Sequence, residues 1–229
     1  MLFHAPFRGV FTAAQDFLTK LQYLASKKIL VNDFNPANFL VDRNGHVSFI
    51  DCDSFQIPGE GKSIAITKTY FASHIAPELL ENPKLLARPR NIHHVEFAAA
   101  PTVFNVLMCR LHPYSYFDPF PQSACGPPDE NLRKGRCPPG VGAHCKFPLG
   151  NWYNLWSCLT FDLKKSFIQT FRDGHRDPAK RASLAELRAN LNELLSIMKI
   201  DPARMDLDPA KPKPWAKSSS AGEPFSMNF

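Results

Sequence analysis

The stretch from Val95 to Cys109 constrains the fold most, because its residues are apolar on nearly every side of a helix. A helix with one apolar stripe can lie on a protein surface, whereas a helix that is apolar all round must be enclosed by other elements. We therefore predict a helix buried in the core, kinked where the ring of Pro101 interrupts the backbone hydrogen bonds. The chain can enclose such a helix, since 229 residues with a hydrophobic fraction of 44% supply a sizeable core.

Amphipathic helices are predicted on both sides of this central helix. From Thr12 to Lys27, phenylalanine and leucine recur at helical spacing with polar residues between them. Phe161 to Phe171 repeats this pattern. Near the end of the chain, Ser183 followed by Glu186 is typical of a capping box, and a stripe of leucines follows it. From about Ala76 onward the chain is therefore predicted to be mostly helical.

Short β-prone runs lie between the first helix and the helical remainder. Phe39–Val41 and Val47–Ile50 flank Asn44-Gly45, a dipeptide typical of a hairpin turn. Ile29–Val31 is a third short run of the same kind. Helices dominate and the strands are few, so the predicted fold class is α+β, mainly α-helical, with short β-hairpins.

The remaining segments are predicted to lack long regular elements. Tyr114–Pro128 is a loop rich in proline and aromatic residues, and 135–150 is a second loop, with a short helix at Asp129–Lys134 between them. Residues 201–229 form a tail rich in Pro, Lys and Ser that we expect to be disordered. We therefore assign residues 1–200 to one folded domain.

Cysteine use and charge restrict the setting and the partners. No two of the six Cys form a C-x-x-C pair, and no apolar stretch approaches the roughly 18 residues of a membrane span. These features predict free thiols in a cytoplasmic protein without a membrane partner. The net charge of +6 is spread along the chain, which is typical of solvated surface, and no nucleic-acid partner is expected. An alternative zinc site would use Cys125, Cys137, His144 and Cys145, but their spacings match no common zinc module.

Polar residues that could bind a metal lie between Asp33 and Asp53. Asp33 follows a short β-prone run, Asn38 comes five residues later, and Asp51 directly follows the run Val47–Ile50. Two carboxylates and an amide at the mouths of neighbouring strands suit Mg²⁺ on a phosphate, with one carboxylate left to orient a hydroxyl. As an alternative, Asp33 and Asn38 could form turns, while Asp51 and Asp53 cap the turn that follows.

The order of these motifs resembles the C-terminal lobe of protein kinases over roughly residues 10–200. The kinase catalytic loop has an aspartate followed after four residues by an asparagine, then a hairpin that leads to Asp-Phe-Gly, and later Ala-Pro-Glu. The matching residues here are Asp33, Asn38, Asp51-Cys52-Asp53 and Ala76-Pro77-Glu78, and Arg181 matches the arginine that pairs with this glutamate. The sequence Asp-Phe-Asn-Pro-Ala-Asn is similar to that of an atypical bacterial Ser/Thr kinase branch.

This resemblance implies a role for each matching residue. Asp33 would be the catalytic residue that accepts or orients the proton of the substrate hydroxyl. Asn38 and Asp51 would bind the cofactor, holding Mg²⁺ on the phosphates of ATP. Glu78 and Arg181 would be structural. The substrate would be a protein Ser or Thr.

Several positions depart from the kinase pattern. Val31-Asn32 replaces His-Arg before the catalytic aspartate, and Asn35 stands where many Ser/Thr kinases have a lysine. Asp53 replaces the flexible glycine. The sequence His94-Val95-Glu96 lacks the aspartate that begins the central helix. No Gly-rich loop or lysine-bearing strand precedes Asp33, so the ATP-gripping N-lobe is expected to be absent.

Three functions are therefore considered from the sequence. The first is a truncated kinase catalytic lobe that becomes active when an N-lobe-bearing chain completes it. The second is a catalytically inactive pseudokinase remnant that acts as a protein-binding module. The third is a different Mg²⁺-dependent phosphate enzyme that uses Asp33 and Asp51.

Overall fold

The computed structural model describes residues 7–59, 70–115, 117–119, 122–124, 126–137 and 151–200. In this part the chain is mainly helical with two small antiparallel sheets, which confirms the predicted α+β, mainly helical class. The α-helices are α1 (Phe7–Ser26), α2 (Pro77–Glu81), α3 (Ile92–Leu107), α4 (Pro128–Arg133), α5 (Asn151–Cys158), α6 (Phe161–Ile168) and α7 (Leu184–Ile200). The strands are β1 (Phe39–Val41), β2 (Val47–Phe49), β3 (Phe117–Pro119) and β4 (Gln122–Ala124).

Helix α3 is buried along most of its length, as its apolar composition predicts. It begins earlier than Val95 because Asn91 caps it: the Asn91 side chain accepts a hydrogen bond from the His94 backbone, and the Asn91 backbone donates to His94 Nδ1. Pro101 lies buried within the helix. The helix ends before Cys109 because Cys109 and Arg110 both have positive φ angles, of 49° and 72°, which a right-handed helix cannot accommodate.

Helix α1 packs against α3 and α7, so the two ends of the described chain enclose the central helix together. The helix starts five residues before the predicted Thr12 and ends at Ser26. Its inner face buries residues including Phe11, Leu18 and Leu21 almost completely. Lys28, with a φ of 60°, turns the chain away from the helix and toward the segment that carries Asp33.

Aromatic rings fill the space between α3 and the C-terminal helices. Phe104 on α3 lies 5.3 Å from Phe167 and 5.8 Å from Phe171, measured between ring centroids. The ring of Tyr114 lies 5.8 Å from that of Phe171, and its buried hydroxyl donates a hydrogen bond to the Phe171 carbonyl at 3.2 Å. The hydroxyl of Tyr114 is therefore satisfied inside an otherwise apolar core.

The predicted hairpin is present, whereas two other strand predictions are corrected. Strands β1 and β2 pair antiparallel with Phe39 opposite Phe49, and Gly45 in the connecting turn has a φ of 85°. The run Ile29–Val31 does not form a paired strand and makes one bridge, from Leu30 to Gln56. The predicted loop Tyr114–Pro128 contains the paired strands β3 and β4, and its last residue begins α4.

The C-terminal predictions hold with one refinement. The helix predicted at Phe161–Phe171 is α-helical to Ile168 and continues as a π-helical turn over Gln169–Asp173. Ser183 Oγ accepts a hydrogen bond from the Glu186 backbone at 3.1 Å, as expected of the residue that caps α7. Residues 138–150 of the second predicted loop and the tail 201–229 lie outside the described residues.

Candidate functional site

Asp33 is held in place by the loop that follows it. Its Oδ1 accepts a hydrogen bond from the Asn35 backbone at 3.2 Å, and its Oδ2 lies 3.5 Å from Asn38 Nδ2. The residue is 7% exposed. A short 3₁₀-helix, Pro36–Asn38, connects the two polar residues, and the Asn35 side chain caps it by accepting from the Ala37 backbone. The loop geometry therefore turns the amide of Asn38 back toward Asp33.

The hairpin brings Asp51 to the same place. The Ile50 backbone donates to the Asn38 carbonyl at 3.0 Å, one residue beyond the opposed pair Phe39 and Phe49. Asn38 and Asp51 therefore lie at the open end of the hairpin, as the sequence predicts. Helix α1 anchors the hairpin, because Asp16 Oδ2 accepts from the Val47 backbone at 2.7 Å.

Asp51 is exposed and has a left-handed backbone, with φ of 57° and ψ of 50°. It precedes the 3₁₀-helix Cys52–Ser54, but its side chain makes no capping hydrogen bond. The structure therefore does not support the alternative in which the Asp51 side chain caps this turn. Its unusual backbone conformation turns the carboxylate out at the end of the hairpin.

The negative charges around Asp51 raise the pKa of its carboxyl group. A hydrogen bond with Asp53 and the charge of Asp53 raise the pKa of Asp51, and partial desolvation and the charge of Asp33 raise it further. The three carboxylates are thus close enough to repel one another. A cation bound among them would relieve that repulsion, and a hard divalent ion such as Mg²⁺ takes the carboxylate and amide oxygens present here. The donor set therefore fits Mg²⁺, and Asn38 and Asp51 are the residues that would hold it.

A cluster of phenylalanine rings packs beside this site. The sequence interpretation did not identify this cluster. The Phe17 ring of α1 lies 5.0 Å from Phe39 and 6.3 Å from Phe34, and Phe39 lies 5.2 Å from Phe49. Each of these rings belongs to a different element of the site. The phenylalanine spacing in the sequence indicates apolar faces, but only the fold shows that those faces meet beneath Asp33.

Gln56 fixes the segment after Asp51, and this residue was also missed. Its side-chain Oε1 accepts from the Arg90 backbone at 2.6 Å, and its Nε2 donates to the Arg90 carbonyl at 3.0 Å. Its backbone pairs in both directions with Leu30, three residues before Asp33. Gln56 thereby joins three segments of the lobe. The only sequence signal for this role was the position of a polar residue just after an Asp-rich turn.

The predicted pairing of Glu78 with Arg181 is confirmed. The two groups form two parallel hydrogen bonds, Nη1 to Oε1 at 2.9 Å and Nη2 to Oε2 at 2.6 Å. His94 Nε2 lies 3.3 Å from Glu78 Oε1. Burial alone would raise the pKa of Glu78, but hydrogen bonds from His94 and Arg181 lower it to about 2. This carboxylate is consequently ionised over the physiological range.

The alternative zinc site falls largely outside the described residues, because Cys125, His144 and Cys145 lie there. Cys137 is buried, and its Sγ donates to the Pro113 carbonyl at 3.5 Å. In the part of the chain that the structure describes, no three His, Cys, Asp or Glu side chains are arranged to hold a metal ion. The magnesium ligands considered above, Asn38 and Asp51, are one amide and one carboxylate. None of the helices described is both long enough and apolar enough to cross a membrane.

Part of the chain is similar to protein kinases. Over 86 residues it is 35% identical to Protein kinase YegI from two strains of Escherichia coli, which covers 38% of this chain and 13% of each relative. Over 78 residues it is 36% identical to Serine/threonine-protein kinase RUNKEL of Arabidopsis thaliana, covering 34% of this chain and 6% of that protein. No family model matches the chain. The chain therefore has a kinase-like relationship over part of its length and spans a small fraction of these relatives.

Proposed function

We propose that this chain supplies the catalytic lobe of a protein kinase-like enzyme, which transfers the γ-phosphate of ATP to a Ser or Thr hydroxyl of a protein. The observation that carries the proposal is the convergence of Asp33, Asn38 and Asp51 at the open end of one hairpin. The similarity of part of the chain to protein kinases supports it.

Each residue has a separate task in this proposal. Asp33, held by the Asn35 backbone, orients the substrate hydroxyl and accepts its proton. Asn38 and Asp51 hold Mg²⁺, which neutralises and positions the phosphates of ATP when it is bound. Phosphoryl transfer depends on positioning, so the site also needs elements that grip the nucleotide. We propose that an N-lobe supplies them, and that the reaction is slow without one.

The second candidate is a catalytically inactive, pseudokinase-type module that binds a protein partner. One observation favours it: Asn35 occupies the position where Ser/Thr kinases have a lysine, and its side chain is engaged in capping the Ala37 backbone. No positive charge from that position would then balance the transferred phosphate. In this case Asp33 and Asp51 would be retained for the fold and not for chemistry.

Mn²⁺ electron paramagnetic resonance with ATP tests the proposal, because Mn²⁺ replaces Mg²⁺ and reports its own binding. We expect the chain to bind Mn·ATP weakly and Asp51→Asn to weaken that binding by about tenfold or more, since it removes a charged ligand. Asp162→Asn is the matched control, because Asp162 is exposed in the first turn of α6. It should bind as the unaltered chain does.

Transfer of radiolabelled phosphate from ATP to a Ser/Thr protein substrate separates binding from catalysis. Asp33→Asn should retain Mn·ATP binding and lose transfer, because Asp33 acts on the hydroxyl and not on the metal. If neither the chain nor the chain supplied with an N-lobe binds Mn·ATP, the kinase proposal is wrong and the binding module is favoured. Equal Mn·ATP binding by the chain and by Asp51→Asn would also contradict the proposed metal ligands.

A further inference from the structure

Arg90 is a buried cation without a partner of opposite charge among the described residues. The residue is 7% exposed. Its Nη1 donates to the Leu85 carbonyl at 3.3 Å, whereas its Nη2 is buried and has no hydrogen-bond partner. Its backbone is fixed by the two hydrogen bonds to the Gln56 side chain. The guanidinium is therefore held in the interior by the fold and not by a carboxylate.

A small cavity adjoins Arg90 and contains two further unsatisfied polar groups. Its volume is about 10 Å³, and it is partly open to solvent. Asn32 and His74 line it with Arg90, and the Asn32 Oδ1 and His74 Nε2 atoms are buried without a partner. Most of the remaining wall is apolar, including Phe34 and Leu79. Three side chains, each with one buried polar atom that lacks a hydrogen-bond partner, thus border one small and largely apolar space.

No described carboxylate forms an ion pair with Arg90, and Glu78 on α2 is already occupied. It is engaged by both nitrogens of the Arg181 guanidinium and by His94. Burial lowers the pKa of Arg90, and no neighbouring negative charge opposes this effect. An uncompensated buried charge is costly unless a counter-ion accompanies it. The cavity is the space in which such a counter-ion would lie.

We propose that the cavity bordered by Arg90, Asn32 and His74 binds a small monovalent anion of the size of chloride. Arg90 Nη2 donates to it. The Asn32 amide can present its Nδ2 to an anion by rotating about its last bond. His74 Nε2 donates when Nδ1 accepts from the Ser73 hydroxyl, which lies 3.0 Å away. A water molecule would satisfy the same atoms but would leave the charge of Arg90 unbalanced.

Thermal unfolding of the full chain tests the site, with chloride exchanged for gluconate at constant ionic strength. Gluconate is a much larger monovalent anion than chloride and keeps the ionic strength unchanged. We expect the unfolding midpoint to rise by about 3 °C when chloride exceeds its dissociation constant about tenfold, with single-site saturation. Bromide should act as chloride does. Arg90→Met should abolish the dependence, whereas Arg88→Met, two residues away and exposed, should retain it.

Crystals of the unaltered chain containing bromide provide a test that does not depend on a variant folding. We expect an anomalous peak in the cavity beside Arg90 Nη2. A water molecule there without anomalous signal would overturn the proposal. It would also be overturned if the chloride dependence persisted unchanged in Arg90→Met, because the effect would then be one of salt in general.

Discussion

Glu78 and Arg181, 103 residues apart in the chain, form a bidentate ion pair whose guanidinium is fully enclosed. The remaining Arg181 nitrogen, Nε, donates to the Gly174 carbonyl at 2.8 Å, and Nη1 also donates to the His93 carbonyl at 3.0 Å. The guanidinium thus joins α2, the start of α3 and the segment before α7. Because its donors face fixed acceptors on several elements, the pair determines how these elements meet.

Arg181→Met should therefore destabilise the chain strongly. It leaves Glu78 and two backbone carbonyls without their donor, and breaking a buried pair in this way costs about 3–5 kcal/mol. Urea unfolding followed by circular dichroism measures the change. Lys180→Met is the matched control, because Lys180 lies at the surface 3.6 Å from an exposed Asp177, and it should change stability by less than about 0.5 kcal/mol. Equal losses in the two variants would contradict the structural role of Arg181.

The contact between His74 and His112 predicts that the fold loses stability in mild acid. The rings lie 5.1 Å apart, and burial lowers the pKa of His74 to about 4. Burial and the charge of His74 lower the pKa of His112 to about 3. The unfolded chain takes up these protons below about pH 6.5 while the folded chain does not, so stability falls from that pH downward.

Between pH 7.5 and 5, each histidine should contribute a loss of about 2 kcal/mol to the unfolding free energy. Urea titrations at the two pH values measure this loss. His74→Gln should reduce it, because the variant removes one of the two groups. His46→Gln should not, since His46 is exposed in the hairpin turn. A pH dependence that is the same in all three proteins would exclude His74 as its source.

The sequence was sufficient to predict elements whose residue pattern lies within a short stretch of the chain. The period of α1, the all-round apolar composition of α3, the capping serine of α7 and the Asn44-Gly45 turn each depend on residues close together in the chain. Their ends were less accurate, because helix ends are set by particular backbone angles. For α3, the positive φ angles of Cys109 and Arg110 end the helix, and side-chain composition does not reveal them.

Contacts between distant segments were predictable only where a known motif includes both of the contacting residues. The Glu78–Arg181 pair was found through the resemblance to kinases, whereas the contact of Gln56 with Arg90 joins a side chain to a backbone 34 residues away and leaves no periodic trace. The pairing of β3 with β4 was missed because prolines and aromatic residues there favour a loop. The buried polar atoms around Arg90 that lack hydrogen-bond partners are likewise visible only in the folded chain.

The mutual repulsion of the site carboxylates predicts an order of effects on Asp51. Asp53 contributes most to its raised pKa, through a hydrogen bond and its charge, and Asp33 contributes least. Asp53→Asn should therefore lower the pKa of Asp51 toward its ordinary value, and Asp33→Asn should lower it by less. Carbon-13 NMR titration of the Asp51 carboxyl group measures both shifts. The reverse order, or no shift in either variant, would show that the three carboxylates do not converge.

The side chain of Gln56 predicts coupling between the fold and the candidate metal site. Gln56→Leu removes two hydrogen bonds and leaves a buried N–H and carbonyl of Arg90 without partners, which should cost about 2–4 kcal/mol. The backbone pairing of residue 56 with Leu30 remains in this variant, but the segment after Asp51 loses its side-chain attachment to Arg90 and should move more relative to Asp33. Under conditions where the variant is folded, Mn·ATP binding should therefore be weaker than in the unaltered chain.

The same substitution at Gln22 should have the opposite effect on stability. Gln22 lies on α1 with a buried Oε1 that has no hydrogen-bond partner, so Gln22→Leu removes an unsatisfied polar atom and should be neutral or stabilising. It should leave Mn·ATP binding unchanged, since none of the hydrogen bonds described for Asp33, Asn38 and the hairpin involves Gln22. Urea unfolding and Mn²⁺ resonance on both variants make the comparison. If Gln56→Leu were as stable as Gln22→Leu, the two hydrogen bonds to Arg90 would not hold these segments together. If it lost stability but bound Mn·ATP normally, Gln56 would serve the fold without positioning the site.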